Sequence, residues 1–381
     1  AAACRAATTG DIIELRYNGE RVEQPLLFSG KNLVIRAGKG YSPSVVFRPS
    51  KPESSDINPI VTPNTMISLG GGSLSAINVT FRLELAATAP VGRWSLFEAK
   101  SGEVLKFQKC DLVVKNQTKQ TTSFFRVTTS PLDDLSTAGS AFNDIPIPVA
   151  KINLTDSVAR GNATFLTIDD QRPVNCSWEN GLLVTDGPML DLRGSEAIWI
   201  QKERIRLSLK HLTVAAAGGI LRLGNERQNP PTIPVDYICY DSIIMISNAN
   251  AMITQWTDKT VTDLDSRFRY EGDRNYYQNF NHFLAQKDRT TKKDLNLLDF
   301  SAWRQRWIPN HEAYSFGGWF ALVATPDATK PLDQRGPGDY LLSENSENPA
   351  RYAAEDGSNL GFLYLPDRLP QHLAPAEEPA L

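Results

Sequence analysis

A strand–corner–strand unit that recurs along the chain constrains the fold more than any other feature. It reads apolar–x–apolar, a small polar residue, then apolar–x–apolar. Its first copies are Leu26-x-Phe28 with Asn32-Leu33-x-Ile35, Leu74-x-Ala76 with Thr80-Phe81-x-Leu83, and Leu105-x-Phe107 with Asp111-Leu112-x-Val114. Ala150-x-Ile152-x-Leu154 with Asp156-Ser157-x-Ala159 follows, then Val174-x-Cys176-x-Trp178 with Asn180-Gly181-x-Leu183. The last two are Ile205-x-Leu207-x-Leu209 with His211-Leu212-x-Val214 and Val235-x-Tyr237-x-Cys239 with Asp241-Ser242-x-Ile244. Period-two alternation makes a strand with one buried face. The polar residue bends the backbone through a side-chain hydrogen bond, and Asn, Asp and His tolerate positive φ. Most copies lie 24 to 31 residues apart, and the two wider gaps hold turn-rich inserts at residues 49–56 and 130–139. A β-sandwich needs reversing strands and a turn roughly every 8–12 residues. One polar corner per repeat instead describes the coils of a parallel β-helix, stacked about 4.8 Å apart. The expected fold is all-β, a single-stranded parallel β-helix (solenoid).

Composition supports a large core and little else. Hydrophobic residues make up 41% and charged residues 22% of the 381, which excludes a disordered chain. A net charge of −3 argues against a general nucleic-acid partner. No apolar run reaches the ~18 residues of a membrane span. Cys4, Cys110, Cys176 and Cys239 are too dilute for a disulfide framework and form no C-x-x-C pair, so they read as buried free thiols. The four histidines form no metal-binding motif, and no cofactor motif is present. The opening Ala1-Ala2-Ala3-Cys4, without methionine or leader, reads as a piece of a longer protein or a processed chain.

The coil sequences carry a family resemblance. Gly10-Asp11-Ile12-Ile13-Glu14-Leu15, followed by Lys31-Asn32-Leu33-Val34-Ile35-Arg36-Ala37-Gly38, resembles the first coils of right-handed, pectate-lyase-like β-helix proteins. Asp299-Phe300-Ser301-Ala302-Trp303-Arg304 with Glu312-Ala313-Tyr314-Ser315 is similar to that superfamily's late "W…(D/E)-x-x-S" coil. Tyr340-Leu341-Leu342, Asn348-Pro349-Ala350 and Asp356-Gly357-Ser358 resemble its closing segment. The likeness implies a right-handed coil with a short cap at residues 1–9, coils through 255, and final coils with an aromatic-rich C-terminal cap over 256–381, all one domain. The chain also resembles, in general style, β-helix regions attached to serine/threonine kinase modules in large planctomycete proteins. That implies a segment of a larger extracytoplasmic or cell-surface protein.

Chemistry on such a scaffold falls to the outward side chains. Reading the repeat copy by copy stacks Lys106, Lys151, Asn175 and Arg206 in one column, beside Gln108, Asn153, Ser177 and Ser208. Cations at coil spacing beside amides and hydroxyls suit the carboxylates of an acidic polysaccharide or cell-surface glycan, although a plain solvated face is the simpler reading. No catalytic set stands out. Asp169-Asp170 and Asp133-Asp134 are adjacent carboxylates, yet neighbours on a strand point to opposite faces. Gly70-Gly71-Gly72-Ser73 lacks the Lys-Ser/Thr and helix of a phosphate loop. Trp256, Trp303, Trp307 and Trp319 serve either as an end cap or as a sugar-stacking platform. Two functions follow: a non-catalytic carbohydrate-binding or sensor domain, or a polysaccharide lyase or glycoside hydrolase acting on an acidic glycan. A purely structural spacer is the third.

Overall fold

Alternating strands need a shared interior, and parallel stacking in three faces supplies it. The computed structural model describes residues 1–49, 64–100, 102–118, 120–128, 148–169, 172–194, 203–224, 232–246, 251–257, 267–307, 311–318, 322–323 and 326–373. The insert at 130–139 and nearly all of that at 49–56 lie outside the described residues. Sheet I stacks Ile12–Leu15, residues 33–37, 73–77, Val104–Gln108, 150–155, 174–179, 205–210, Val235–Tyr240 and Phe268–Asp273. Sheet II begins with Gly19–Val22, Pro43–Phe47, Thr80–Leu85 and Asp111–Asn116 and ends with Ile243–Met245, Tyr276–Gln278 and Phe316–Gly317. Between them come the second halves of the long strands Ala150–Gly161, Val174–Thr185 and Ile205–Ala216, which turn the corner from sheet I. Sheet III holds residues 26–29 and 65–70, Trp94–Ala99, Thr122–Val127, Thr164–Ile168, Leu190–Leu192, Leu221–Leu223, Ala251–Thr257 and His282–Asp288. The pairing is mostly parallel, the pattern of a β-solenoid. Among the described strands only Asp294–Leu298 pairs antiparallel, closing the last coil of sheet III.

The interior is where the alternation places it. Leu33, Phe81, Leu112, Leu183, Leu207, Val214 and Tyr237 are all buried in one continuous core. An aromatic file runs along the axis through Phe81, Phe97, Phe107, Phe125, Phe165 and Trp178, with successive ring centroids 4.8–5.4 Å apart. These offset and edge contacts add to the burial of each ring.

Two details of the repeat differ from the sequence reading. The first copy is displaced by one sheet: Leu26 and Phe28 pair with Ile67 and Leu69 in sheet III, while Leu33 pairs with Leu74 in sheet I. The alternation of a sheet III strand has the same chemistry as that of sheet I, so only the pairing distinguishes them. The corner also sits elsewhere in two early coils. The coil residues with φ of 51–54° are Asn78, Lys109, Asp156, Asn180, His211, Asp241 and Arg274, so Thr80 and Asp111 lie two positions beyond it. The corner between sheets III and I at Gly71 and Gly72 also has positive φ, and a Cβ on Gly72 would stand 2.2 Å from the Lys31 carbonyl oxygen. Close backbone approach accounts for this glycine run.

Both ends are closed. The short helix Ala2–Ala6 covers the first coil, with Cys4 and Ala7 in the core and the Lys31 ammonium donating to the carbonyls of Arg5 (3.2 Å) and Ala7 (2.7 Å). At the other end the helix Phe300–Trp307 inserts Trp303 into the core. The remaining chain takes a different course from the expected end cap. It runs back along the outer face of sheet II: Ala350 and Leu360 pack on Ile243 and Tyr276, Tyr340 and Phe362 pack on Val158, Leu182 and Val184, and Gln371 bonds to Asn78. The outward residues of sheet II here are apolar, and this flank needs a cover as much as the end does.

Candidate anion-binding groove

Along sheet I the inward positions are mostly apolar and the outward ones mostly polar. Register aligns Lys151, Asn175, Arg206, Asp236 and Arg269 in one outward column. Lys106 does not belong to it. Its partners are Ser75 and Asn153, one column over, and Val104 stands opposite Lys151. A slip of two residues along a strand keeps every side chain on its face, so alternation alone leaves this displacement invisible. Lys106, Lys151, Asn175 and Arg206 are all exposed, as the sequence reading requires. Asp236 interrupts the cations but is bound by Arg204, Nε to Oδ1 2.6 Å. The side chains of Lys151, Arg206 and Arg269 make no hydrogen bond or ion pair among the described residues. Three exposed cations on one column thus have their charge unspent within the fold.

The column leads into a groove of about 620 Å³ where sheet I meets the C-terminal cap. Arg206, Asp236 and Arg269 line it from sheet I, with Tyr237 and Tyr270 at its floor, and Arg306, Trp307 and His311 line it from the C-terminal segment. Trp307 is held by Phe268 and Tyr270, ring centroids 6.2 and 5.7 Å away, and His311 packs edge-on to Tyr270 at 6.3 Å. The Arg306 guanidinium lies 5.6 Å from the Trp307 ring centroid. The other carboxylate of the groove, Glu271, accepts a 3.0 Å bond from the Tyr240 hydroxyl.

Beneath the floor, the late-coil motif comes together in space. Glu312 is fully buried and accepts from the hydroxyls of Tyr270 and Tyr277 (2.6 Å for the latter) and from Trp303 Nε1 at 3.3 Å. Ser315 Oγ accepts the Asn275 amide at 2.9 Å. Burial pushes the Glu312 carboxyl above the usual carboxylate range, and its hydrogen bonds recover only part of that penalty. The arrangement anchors the cap to Tyr270 and so sets the groove's floor. It is closed to solvent.

The other candidate chemistries resolve into structure. Asp169 is paired with Arg126 (2.7 Å), Arg93 (3.3 Å) and Arg193 (3.4 Å). Asp133, Asp134, Asp170 and Trp319 lie outside the described residues. Ile205, between Arg204 and Arg206, is in the core. All four cysteines are free and buried, and burial pushes the thiols of Cys110, Cys176 and Cys239 up to about 12. Among the described residues no cluster of three His, Cys, Asp or Glu side chains could hold a metal ion, and no helix is long and apolar enough to cross a membrane. Of the tryptophans, Trp303 is in the core, Trp307 lines the groove, and Trp256 lies within 5.1 Å of Lys292 and 5.9 Å of Lys287. Arg269 and His311 were not legible as site residues, because neither lies in a copy of the repeat. Continuing the outward alternation one coil past Asp236 would have found Arg269.

Compared with models of known protein families and with curated protein sequences, the chain matches none. The reading of its function therefore rests on the site.

Proposed function

We propose that this chain is a non-catalytic carbohydrate-binding domain of the right-handed, pectate-lyase-like kind, part of a larger extracytoplasmic or cell-surface protein, and that it holds an acidic glycan along sheet I. The observation that carries the proposal is the column Lys151–Arg206–Arg269, exposed and without internal partners, leading to a groove lined by Trp307. Arginine offers two parallel donors to a carboxylate, and an aromatic face suits the apolar face of a sugar ring. Asp236 and Glu271, the carboxylates of the groove, are already engaged by Arg204 and Tyr240. That favours binding over acid–base cleavage. The test is calorimetric titration with a linear polyuronate and with a neutral glucan. The expected result is polyuronate-selective binding that weakens with added salt and falls about tenfold or more in the Arg206→Ala/Arg269→Ala double variant. Equal affinity for the neutral glucan, or accumulation of shortened or unsaturated products, would overturn the proposal.

A further inference from the structure

The cations of the sheet I column do not follow one another coil by coil. In register the column reads Ser73, Val104, Lys151, Asn175, Arg206, Asp236 and Arg269, so its cations stand on alternate coils and never on adjacent ones. Lys106, the cation of the coil before Lys151, is displaced to the neighbouring column by its pairing with Asn153. At strand spacing two coil steps are about 10 Å, and the three cations together span about 19 Å. The two positions between them differ in kind. Asn175 is neutral and exposed. Asp236 carries a carboxylate whose charge is already met by Arg204, Nε to Oδ1 2.6 Å. Beside the column, two residues further along each strand, stand the uncharged Asn153, Ser177 and Ser208.

We infer that this face selects an acidic glycan whose charge alternates, with one carboxylate on every second sugar, over one charged at every sugar. The inference rests on the glycan-binding reading above and adds the charge pattern of the polymer. An extended pyranose chain advances by about one coil step per sugar, so Lys151, Arg206 and Arg269 fall opposite every second unit. There each cation meets a carboxylate. The intervening units face Asn175 and Asp236, and a neutral sugar can bond to these and to the amide and hydroxyls of the adjoining column. A chain charged at every sugar has two choices. It brings a carboxylate against Asp236, where Arg204 is already engaged, or it turns alternate carboxylates to solvent, where they gain no partner. Like charge at an intervening position is a repulsive element against the wrong ligand. Asp236 is on this account a specificity-determining residue, set between two cations on the lining of the groove.

The experiment is calorimetric titration of the full chain with two probes of about eight sugars, each longer than the column. One is a hyaluronate oligosaccharide, in which a uronate alternates with a neutral sugar. The other is an oligogalacturonate, in which every sugar is a uronate. The hyaluronate probe is expected to bind about fivefold or more tightly, although it carries fewer charges. Asp236→Asn removes the opposing carboxylate and releases Arg204, and is expected to tighten the oligogalacturonate several-fold and narrow the difference. Asn175→Lys, at an exposed position outside that ion pair, supplies a cation at the other intervening step and is expected to shift the preference the same way. Equal affinity for the two probes, or tighter binding of the more highly charged one, would overturn the alternation and leave glycan binding standing. So would a preference that neither substitution moves. Absence of binding to both probes overturns the glycan reading itself, and the inference falls with it.

Discussion

The corner residues show most directly how one side chain serves a coil. Asp156 has φ of 51° and its Oδ1 accepts a 2.7 Å bond from Asn180 Nδ2 in the next coil. A residue with a short acceptor tolerates this backbone, whereas a β-branched residue is strained there. Asp156→Asn keeps the acceptor and the conformation, and its denaturant midpoint is expected to match the parent. Asp156→Val loses both and is expected to cost roughly 1–3 kcal/mol. A silent valine would show that the corner does not need its side chain. The corner column was only partly legible. Asp156, Asn180, His211 and Asp241 carry the Asx-like signature of left-handed backbone, and Lys109 and Arg274, at the same φ, do not. Thr80 and Asp111 were assigned to it because a polar residue close to a corner looks alike at either position.

The C-terminal strap is the element whose role the periodicity could not show, because it has none. It is fixed along sheet II by specific bonds to the coils: Leu363 N to Asn180 Oδ1 (2.6 Å), Phe362 N to Thr213 Oγ1 (3.2 Å) and Gln371 N to Asn78 Oδ1 (3.1 Å). Its far end locks at Asp111, buried between Arg160, which donates through Nε (3.1 Å) and Nη2 (2.7 Å), and His372, whose Nε2 lies 2.8 Å away. Burial alone would raise the Asp111 carboxyl, but Arg160 and His372 outweigh it and hold it at about 2. A depressed folded-state value means stability that is present above the ordinary aspartate range and lost as pH falls. The ion pair therefore contributes about 2 kcal/mol at pH 5 and above, and loses it progressively between about pH 4 and pH 2. Asp111→Asn is expected to cost on the order of 3 kcal/mol at neutral pH, by leaving Arg160 short of its partner, and to flatten thermal stability against pH over that acid window. An unchanged acid slope in the variant would remove Asp111 from the account. The residues that make this lock, 111, 160 and 372, come from three distant parts of the chain, and nothing in their spacing announces it.

At the scale of the molecule, most of the architecture was legible because inward alternation is a physical demand: a polar residue inside a coil must find a partner there, as Glu312 does, or strand an unpaired group in the stack. That demand identified Leu33, Phe81, Leu112 and Leu207 as core. It carries no information on phase between coils, which is why Lys106 was placed in the wrong column and Leu26 in the wrong sheet. The site was legible to the extent that it lies on repeats, as Lys151, Asn175 and Arg206 do, and hidden where the cap contributes Trp307 and His311. Arg206 and Leu207 are neighbours in one strand, assigned to opposite faces and opposite purposes. Substituting each in turn, with denaturant midpoint and polyuronate affinity measured on both, tests the account most directly. The account predicts that Leu207→Ala loses about 2–5 kcal/mol through the cavity it leaves. Arg206→Ala loses less than about 1 kcal/mol yet binds polyuronate several-fold more weakly. Equal losses of stability from the two substitutions, or full affinity in Arg206→Ala, would contradict it.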